Sequence, residues 1–210
     1  MPDTARHPIF ARLYAASSAG VERKGGAEHR AEMLAGVAGR VVEVGAGNGL
    51  NFGHYPPTVS EVVAVEPEPY LRERAEDATR TAAVDVRVVD GLADALPAED
   101  AAFDAAVASL VLCSVPDQAD ALAELRRVVR PNGELRFYEH VVAAGRRGAL
   151  QLRLDDWGIW PRLTGGCHGA RDTEAAIAAN GWTIERVRRF DFKAGPAALP
   201  HIIGVARRDA

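Results

Sequence analysis

From residue 41 onward, short apolar runs alternate with longer stretches in which apolar residues return every three or four positions. The runs predict strands at 41–45, 62–66, 84–89, 103–109 and 135–141; the spaced stretches predict helices from Pro67 to about Ala82 and from Asp117 to Val129. Strand followed by helix, repeated in this order, specifies a parallel sheet with helices on both faces. Pro131-Asn132-Gly133 ends the second helix, and Asp117, following a proline, is placed to cap its start. The C-terminal pattern differs: a helix DTEAAIAANG, a strand WTIERVRRFDF, a loop carrying Pro196 and Pro200, and a strand HIIGVARR. No helix fits between those last two strands, which predicts antiparallel pairing. The fold expected is therefore α/β and Rossmann-like: seven strands, mostly parallel, helices on both faces and an antiparallel last strand.

Before the first strand, Ile9, Phe10, Leu13 and Tyr14, then Met33, Leu34 and Val37, recur at helical spacing, so residues 1–40 read as two short helices joined around Gly20 and Gly25-Gly26. They are expected to cap a site built by residues 41–210, within a single domain overall. Between Ala143 and Ala149 the composition loosens, and the aromatic stretch LDDWGIWPRLTGGCH that follows reads as an irregular insertion over the sheet edge.

Composition narrows the function classes. A chain of 210 residues with 48% apolar content supports one ordinary core, and a formal charge of -4 spread along the sequence offers no basic face for nucleic acid. No run approaches the ~18 apolar residues of a membrane span, so no span and a cytoplasmic location are expected. Cys113 and Cys167 lie far apart without CxxC spacing, which indicates neither a disulfide framework nor a metal site.

The chemistry concentrates where the first strand ends, in RVVEVGAGNGLNF. Gly45, Gly47 and Gly49 could begin a dinucleotide site, but the third glycine comes one residue early for G-x-G-x-x-G, Leu50 stands where a small residue is needed, and Tyr55-Pro56-Pro57 cuts off the helix that would face a pyrophosphate. S-adenosyl-L-methionine, which carries no phosphate, fits better. Its ribose diol needs a carboxylate at the end of the second strand, and VVAVEPEPY supplies Glu66. Glu43, between buried valines, needs a partner, either the ligand's ammonium or the loop itself.

Taken together, EVGAGNGLNFGHYPP, VVAVEPEPY, VVDGLADALPAEDAAFDAAVASLVLCSV, LRRVVRPNGELRFYEHV and PHIIGVARR resemble the class I S-adenosylmethionine-dependent methyltransferases with a type 11 methyltransferase domain, over about residues 41–207. The NFxxYPP, SLVLCSV and FYEHV stretches are similar to the methyltransferase-like seven group, whose characterised members methylate small thiols; a more distant likeness is to quinone-biosynthesis methyltransferases. The resemblance implies that Glu43, Gly45, Ala46, Gly47 and Gly49 line the methionine and ribose part of the cofactor. It further implies that Glu66 holds the diol with Pro67 beside the adenine, that Gly91, Leu92 and Ala93 cover the adenine, and that Ser109 and Leu110 lie beneath the methionine. Leu92 stands where many members have an acid, with Asp90 two residues earlier.

Methyl transfer from a sulfonium needs alignment above all. A thiol, ionising near pH 8.5, needs little help from a base, whereas a phenol or hydroxyl would require one. His140, at the end of the fifth strand, is the best-placed catalytic candidate; Glu139, on the opposite strand face, Asp155, Asp156 and His168 are further ones. Trp157 and Trp160 read equally as core or as substrate platform, and Cys113 as a small buried hydrophobe. The function expected is methylation of a small molecule, a thiol in the first instance. The alternatives are a quinone-type C- or O-methyltransferase, a nicotinamide-dependent oxidoreductase and a cofactor-binding module without turnover.

Overall fold

The computed structural model describes residues 8–193, 195 and 198–209. The first seven residues of the predicted N-terminal helical segment, and Pro196 of the predicted last loop, lie outside them. Seven strands form one sheet in the order β3-β2-β1-β4-β5-β7-β6. The parallel strands are β1 (Gly39–Val44), β2 (Val59–Val65), β3 (Val86–Val89), β4 (Phe103–Ser109) and β5 (Val129–His140). β7 (Leu199–Arg208) inserts between β5 and β6 (Trp182–Phe192) and runs antiparallel to both. The chain reverses direction at β1, with β2 and β3 on one side and β4 and β5 on the other, so a crevice opens at the C-terminal ends of β1 and β4. Ligands of open α/β sheets bind at such a reversal.

Alternation along each strand divides the core. Val42 and Val44 of β1 pack with Leu122, Leu125 and Val128 of α4 (Gln118–Val128) and with Ile177 of α7 (Thr173–Ala179) on one face. Val41 packs with Met33 and Leu34 of α2 (Ala27–Leu34) and Ala75 of α3 (Pro69–Ala78) on the other. The caps follow local chemistry: the Asp117 carboxylate accepts from the amides of Ala119 and Asp120, and that of Asp172 from Ala175.

Several predicted boundaries move. Of the glycines expected at the junction of the N-terminal helices, Gly25, with φ of 118°, is the one where they meet, and Gly20 lies inside α1 (Pro8–Val21). The α4 helix ends three residues before Pro131, because Val129 is already extended, and the Pro-Asn-Gly turn sits in the irregular start of β5 with Asn132 at φ of 61°. The expected irregular aromatic insertion is helical: α5 (Gly145–Asp156) begins within the stretch predicted to be loose, and α6 (Ile159–Leu163) follows after Gly158. A helix of 12 residues and one of 5, separated by the left-handed Gly158, are too short for the apolar pattern to register.

Candidate functional site

A cavity of about 1280 Å³ opens at the C-terminal ends of the parallel strands. It is larger than most single-ligand pockets, which run to about 1,000 Å³, and so has room for a nucleoside-sized ligand and a second molecule. One end is built by the loop after β1. Gly45 and Gly47 line it, both left-handed with φ of 63° and 58°. A Cβ on Gly45 would stand 2.5 Å from the Val111 methyl Cγ2, so this position accepts glycine for two reasons, backbone conformation and closeness to the loop after β4. Gly49 serves another purpose than the sequence suggested. A Cβ there would meet Ala78 at 2.7 Å and the Phe52 ring at 2.9 Å, so its role is to let the turn pack on the end of α3, and neither it nor Ala46 lines the cavity.

Glu66 follows β2 and is almost wholly buried, yet it faces the cavity. Its Oε2 accepts from the Gly47 amide at 2.7 Å and its Oε1 from the Glu68 amide at 2.9 Å. Those two bonds fix the carboxylate and leave about half of its ~4 acceptor positions open to a ligand. Burial raises its pKa and the two amides oppose that rise. Arg72 pins the turn by donating to the carbonyls of Glu66 and Pro67 and to Asp90, so Asp90 is held outside the cavity as an ion-pair partner. Pro67, Gly91, Leu92 and Ala93 line the cavity, as does Asp94, an acid that motif reading passed over.

Glu43 does not line the cavity. Its carboxylate is taken up within the protein, accepting from Asn51 Nδ2 at 2.8 Å and the Tyr55 hydroxyl at 2.7 Å. Of the two partners the sequence left open, the loop is the one present. The same Asn51 accepts, through Oδ1, from Arg30 at 2.9 Å, and Arg30 also donates to Ser109 Oγ at 3.0 Å and Glu22 at 3.1 Å. Arg30 is 5% exposed. It ties α2 to the glycine loop and to the end of β4, just where Ser109 and Leu110 line the cavity. Helical periodicity marks only the apolar neighbours Met33 and Leu34, so Arg30 gives no sequence signal apart from its position on their face. Leu110 holds a left-handed φ of 59°, and its amide donates to the Tyr138 carbonyl at 2.7 Å. Tyr14 of α1 lies over Gly47, so α1 contributes part of the wall together with Phe10 and Ala11.

The other end of the cavity gathers residues from three elements. His140, closing β5, turns Nδ1 toward Cys113 Sγ at 3.7 Å and toward Cys167 Sγ at 3.5 Å. Both cysteines are buried, and all three residues line the cavity with Trp160, Thr164 and His201. Cys167 is held below the ordinary thiol range, first by a hydrogen bond with the Cys113 thiol and then by His140; Cys113 is raised by the same bond and by burial. Burial lowers the His140 pKa, but the hydrogen bond and charge of Cys167 outweigh it and the net shift is upward. Glu139 faces the other way, accepting from the amides of Val111, Leu112 and Cys113, with its carboxyl pushed up to about 7 by burial. It shapes the loop after β4 and is placed for no reaction. Asp155 accepts from the Ala170 amide at 2.9 Å and lies 4.0 Å from His168, so both brace the turn that carries Cys167. Neither they nor Asp156 line the cavity; Trp157 is exposed while Trp160 is part of the wall. Among the described residues, no helix is long and apolar enough to cross a membrane.

The family described as "Methyltransferase domain" matches residues 42–137, from within β1 into β5. Thiol S-methyltransferase TMT1A of Homo sapiens is 31% identical over 185 residues, 83% of this chain and 74% of the relative. Thiol S-methyltransferase TMT1B of Homo sapiens is 33% identical over 145 residues, 67% of this chain, which thereby spans 59% of that relative's length. An S-adenosylmethionine dependent methyltransferase structure from Mesorhizobium loti superimposes with a TM-score of 0.64 at 22% identity, covering 88% of this chain and 99% of that one, a likeness of fold.

Proposed function

The chain belongs to the methyltransferase family that includes thiol S-methyltransferases TMT1A and TMT1B, and on that footing we propose that it transfers the methyl group of S-adenosyl-L-methionine to a small thiol. The observation that carries the reading is Glu66: a buried carboxylate, fixed by two backbone amides beside the glycine loop, with acceptor capacity left over and facing a cavity. A vicinal diol suits it, and a phosphate does not. Only a short 3₁₀ turn, Phe52–His54, follows the loop, so the helix N-terminus that a pyrophosphate requires is missing from that place. This speaks against a nicotinamide cofactor.

Glu66 would hold the ribose; Gly45, Gly47, Ser109 and Leu110, under Tyr14, would receive the methionine portion; Pro67, Leu92, Ala93 and Asp94 would flank the adenine. When bound, the cofactor supplies an electrophilic methyl carbon, so that an incoming sulfur forms the new C–S bond while the sulfonium bond breaks with its electron pair retained on the departing sulfide. The chain's own contribution is alignment and shelter. Tyr138, Phe192, Leu199 and Trp160 give the acceptor end of the cavity a mostly apolar wall, and His140 and His201 are the histidines on it. The described part of the N-terminal segment, residues 8–40, would act as the cover of the site: Phe10 and Tyr14 of α1 lie over Gly165 and Gly47, at its two ends.

The test offers labelled S-adenosylmethionine with a panel of small thiols and a panel of quinols in parallel. Label in thioethers is the expected result; label only in quinols or phenols would remove the thiol while leaving methyl transfer in place. Glu66→Ala is expected to weaken S-adenosylhomocysteine binding by one to two orders of magnitude, since a lost charged acceptor costs roughly 1.5–3 kcal/mol. Calorimetric titration giving unchanged affinity would take Glu66 out of the site.

A further inference from the structure

The acceptor end of the cavity holds a feature that alignment alone does not require. Cys113 Sγ, Cys167 Sγ and His140 Nδ1 lie within 4.8 Å of one another, and the imidazole nitrogen is 3.7 Å and 3.5 Å from the two sulfurs. In a tetrahedral zinc site with Zn–S of about 2.3 Å and Zn–N of about 2.05 Å, the sulfur-to-nitrogen edge is about 3.6 Å, so both measured edges match. A hydrogen-bond chain from Cys113 through Cys167 to His140 uses the shorter edge and leaves the 3.7 Å approach of Nδ1 to Cys113 unexplained. Nδ1 offers one in-plane lone pair or one N–H, and can make one good bond where two sulfurs are within reach. A cation between the three atoms satisfies all of them.

The three groups are also held in place. The Cys113 amide donates to Glu139, the Cys113 carbonyl accepts from the His168 amide at 2.7 Å, and His140 is paired in register with His201 across β5 and β7. A main-chain bond thus locks the two cysteine-bearing loops to each other, and the Glu139 carboxylate ties one of them to the strand end that carries the histidine, which is the rigidity a binding site needs. All three residues line the cavity, so a fourth coordination position would open into it.

The geometry points to Cys113, His140 and Cys167 as the ligands of one zinc ion whose fourth position faces the cavity and takes the sulfur of a thiol acceptor. Soft thiolates with an imidazole select zinc among the common divalent cations, and three protein ligands with one open position is the arrangement of reactive rather than purely structural zinc sites. Binding takes both cysteines as thiolates and His140 as neutral imidazole, and whatever protons the three groups still carry are released to solvent. When an acceptor thiol ligates, its S–H proton passes to solvent and a sulfur–zinc bond replaces it. This last role rests on the thiol methyltransferase reading; the ion site itself does not.

The full chain, prepared with zinc and dialysed, is expected to retain about one equivalent of metal, and to lose it in Cys113→Ser, Cys167→Ser and His140→Ala. Replacement by cobalt(II) should give thiolate-to-cobalt charge-transfer bands, absent in both serine variants, and adding 2-mercaptoethanol should shift the visible cobalt bands. S-adenosylhomocysteine titration of every variant reports whether the fold and the cofactor site persist. Metal-free protein that binds S-adenosylhomocysteine normally would overturn the zinc site and leave the methyltransferase reading standing, as would two thiols recovered as a disulfide or metal retention that the serine variants do not change. Metal bound through these residues without thiol-induced change in the cobalt spectrum would overturn the open position. Metal bound with no label transfer would sink the proposed function instead.

Discussion

Arg30→Ala is expected to lower the unfolding free energy by about 3–5 kcal/mol, the loss typical when one member of a buried, hydrogen-bonded charge network is removed. The residue is 5% exposed and its guanidinium is bonded to Glu22, Asn51 and Ser109, three groups from three parts of the chain. Without it, Asn51 Oδ1 loses its donor in a place sealed from water, and Glu22, whose side chain is 17% exposed, is left as a charge without its partner. Arg30→Met, which keeps most of the apolar stem, should recover only the packing part. Arg23→Ala, on the exposed side of the same region, should change stability by less than ~0.5 kcal/mol. Urea unfolding of the three variants checks this, and a loss below ~1 kcal/mol for Arg30→Ala would mean that the network has no mechanical weight.

Arg30 also shows what the sequence could and could not say. The parallel sheet was legible because its strands are apolar enough, and its crossover helices periodic enough, for alternation to appear on the page; β4 fell on the predicted residues, and the last two strands paired antiparallel as the missing helix between them required. Gly45, Gly47 and Glu66, which the structure places on the cavity wall, were legible because a sharp turn at a strand end calls for glycine and the proposed diol for an acid, both at fixed distances from strand ends. Long-range side-chain pairing has no such spacing. Arg30 meets Ser109, and Glu43 meets Tyr55, through the fold alone. The same holds for Cys113 and Cys167. Their wide separation argued against a shared site, yet the loop after β4 and the turn before α7 flank the end of β5 and bring both sulfurs to His140.

Glu43 gives the second prediction, because burial acts on it more strongly than its partners do. The residue is 1% exposed within β1, and desolvation raises its pKa from 4.5 to about 7 against the opposing hydrogen bonds of Tyr55 and Asn51 and the charge of Arg30. A carboxyl with a raised folded-state pKa keeps its proton in the native protein where the unfolded chain has already lost it. Between pH 4.5 and about 7 the native state therefore binds the extra proton, so the stability Glu43 contributes is fully present below 4.5 and declines as pH rises to about 7. A shift of that size corresponds to about 3 kcal/mol. Glu139, also raised to about 7, adds a decline of the same sign, so the wild-type curve alone does not isolate Glu43. Glu43→Gln does. It keeps an acceptor for the Tyr55 hydroxyl, carries no titrating proton, and should remove about 3 kcal/mol of the difference in unfolding free energy between the two ends of that window. Denaturant unfolding of both proteins across the range is the measurement, and parallel pH profiles would show that Glu43 titrates in the folded protein much as it does in the unfolded chain.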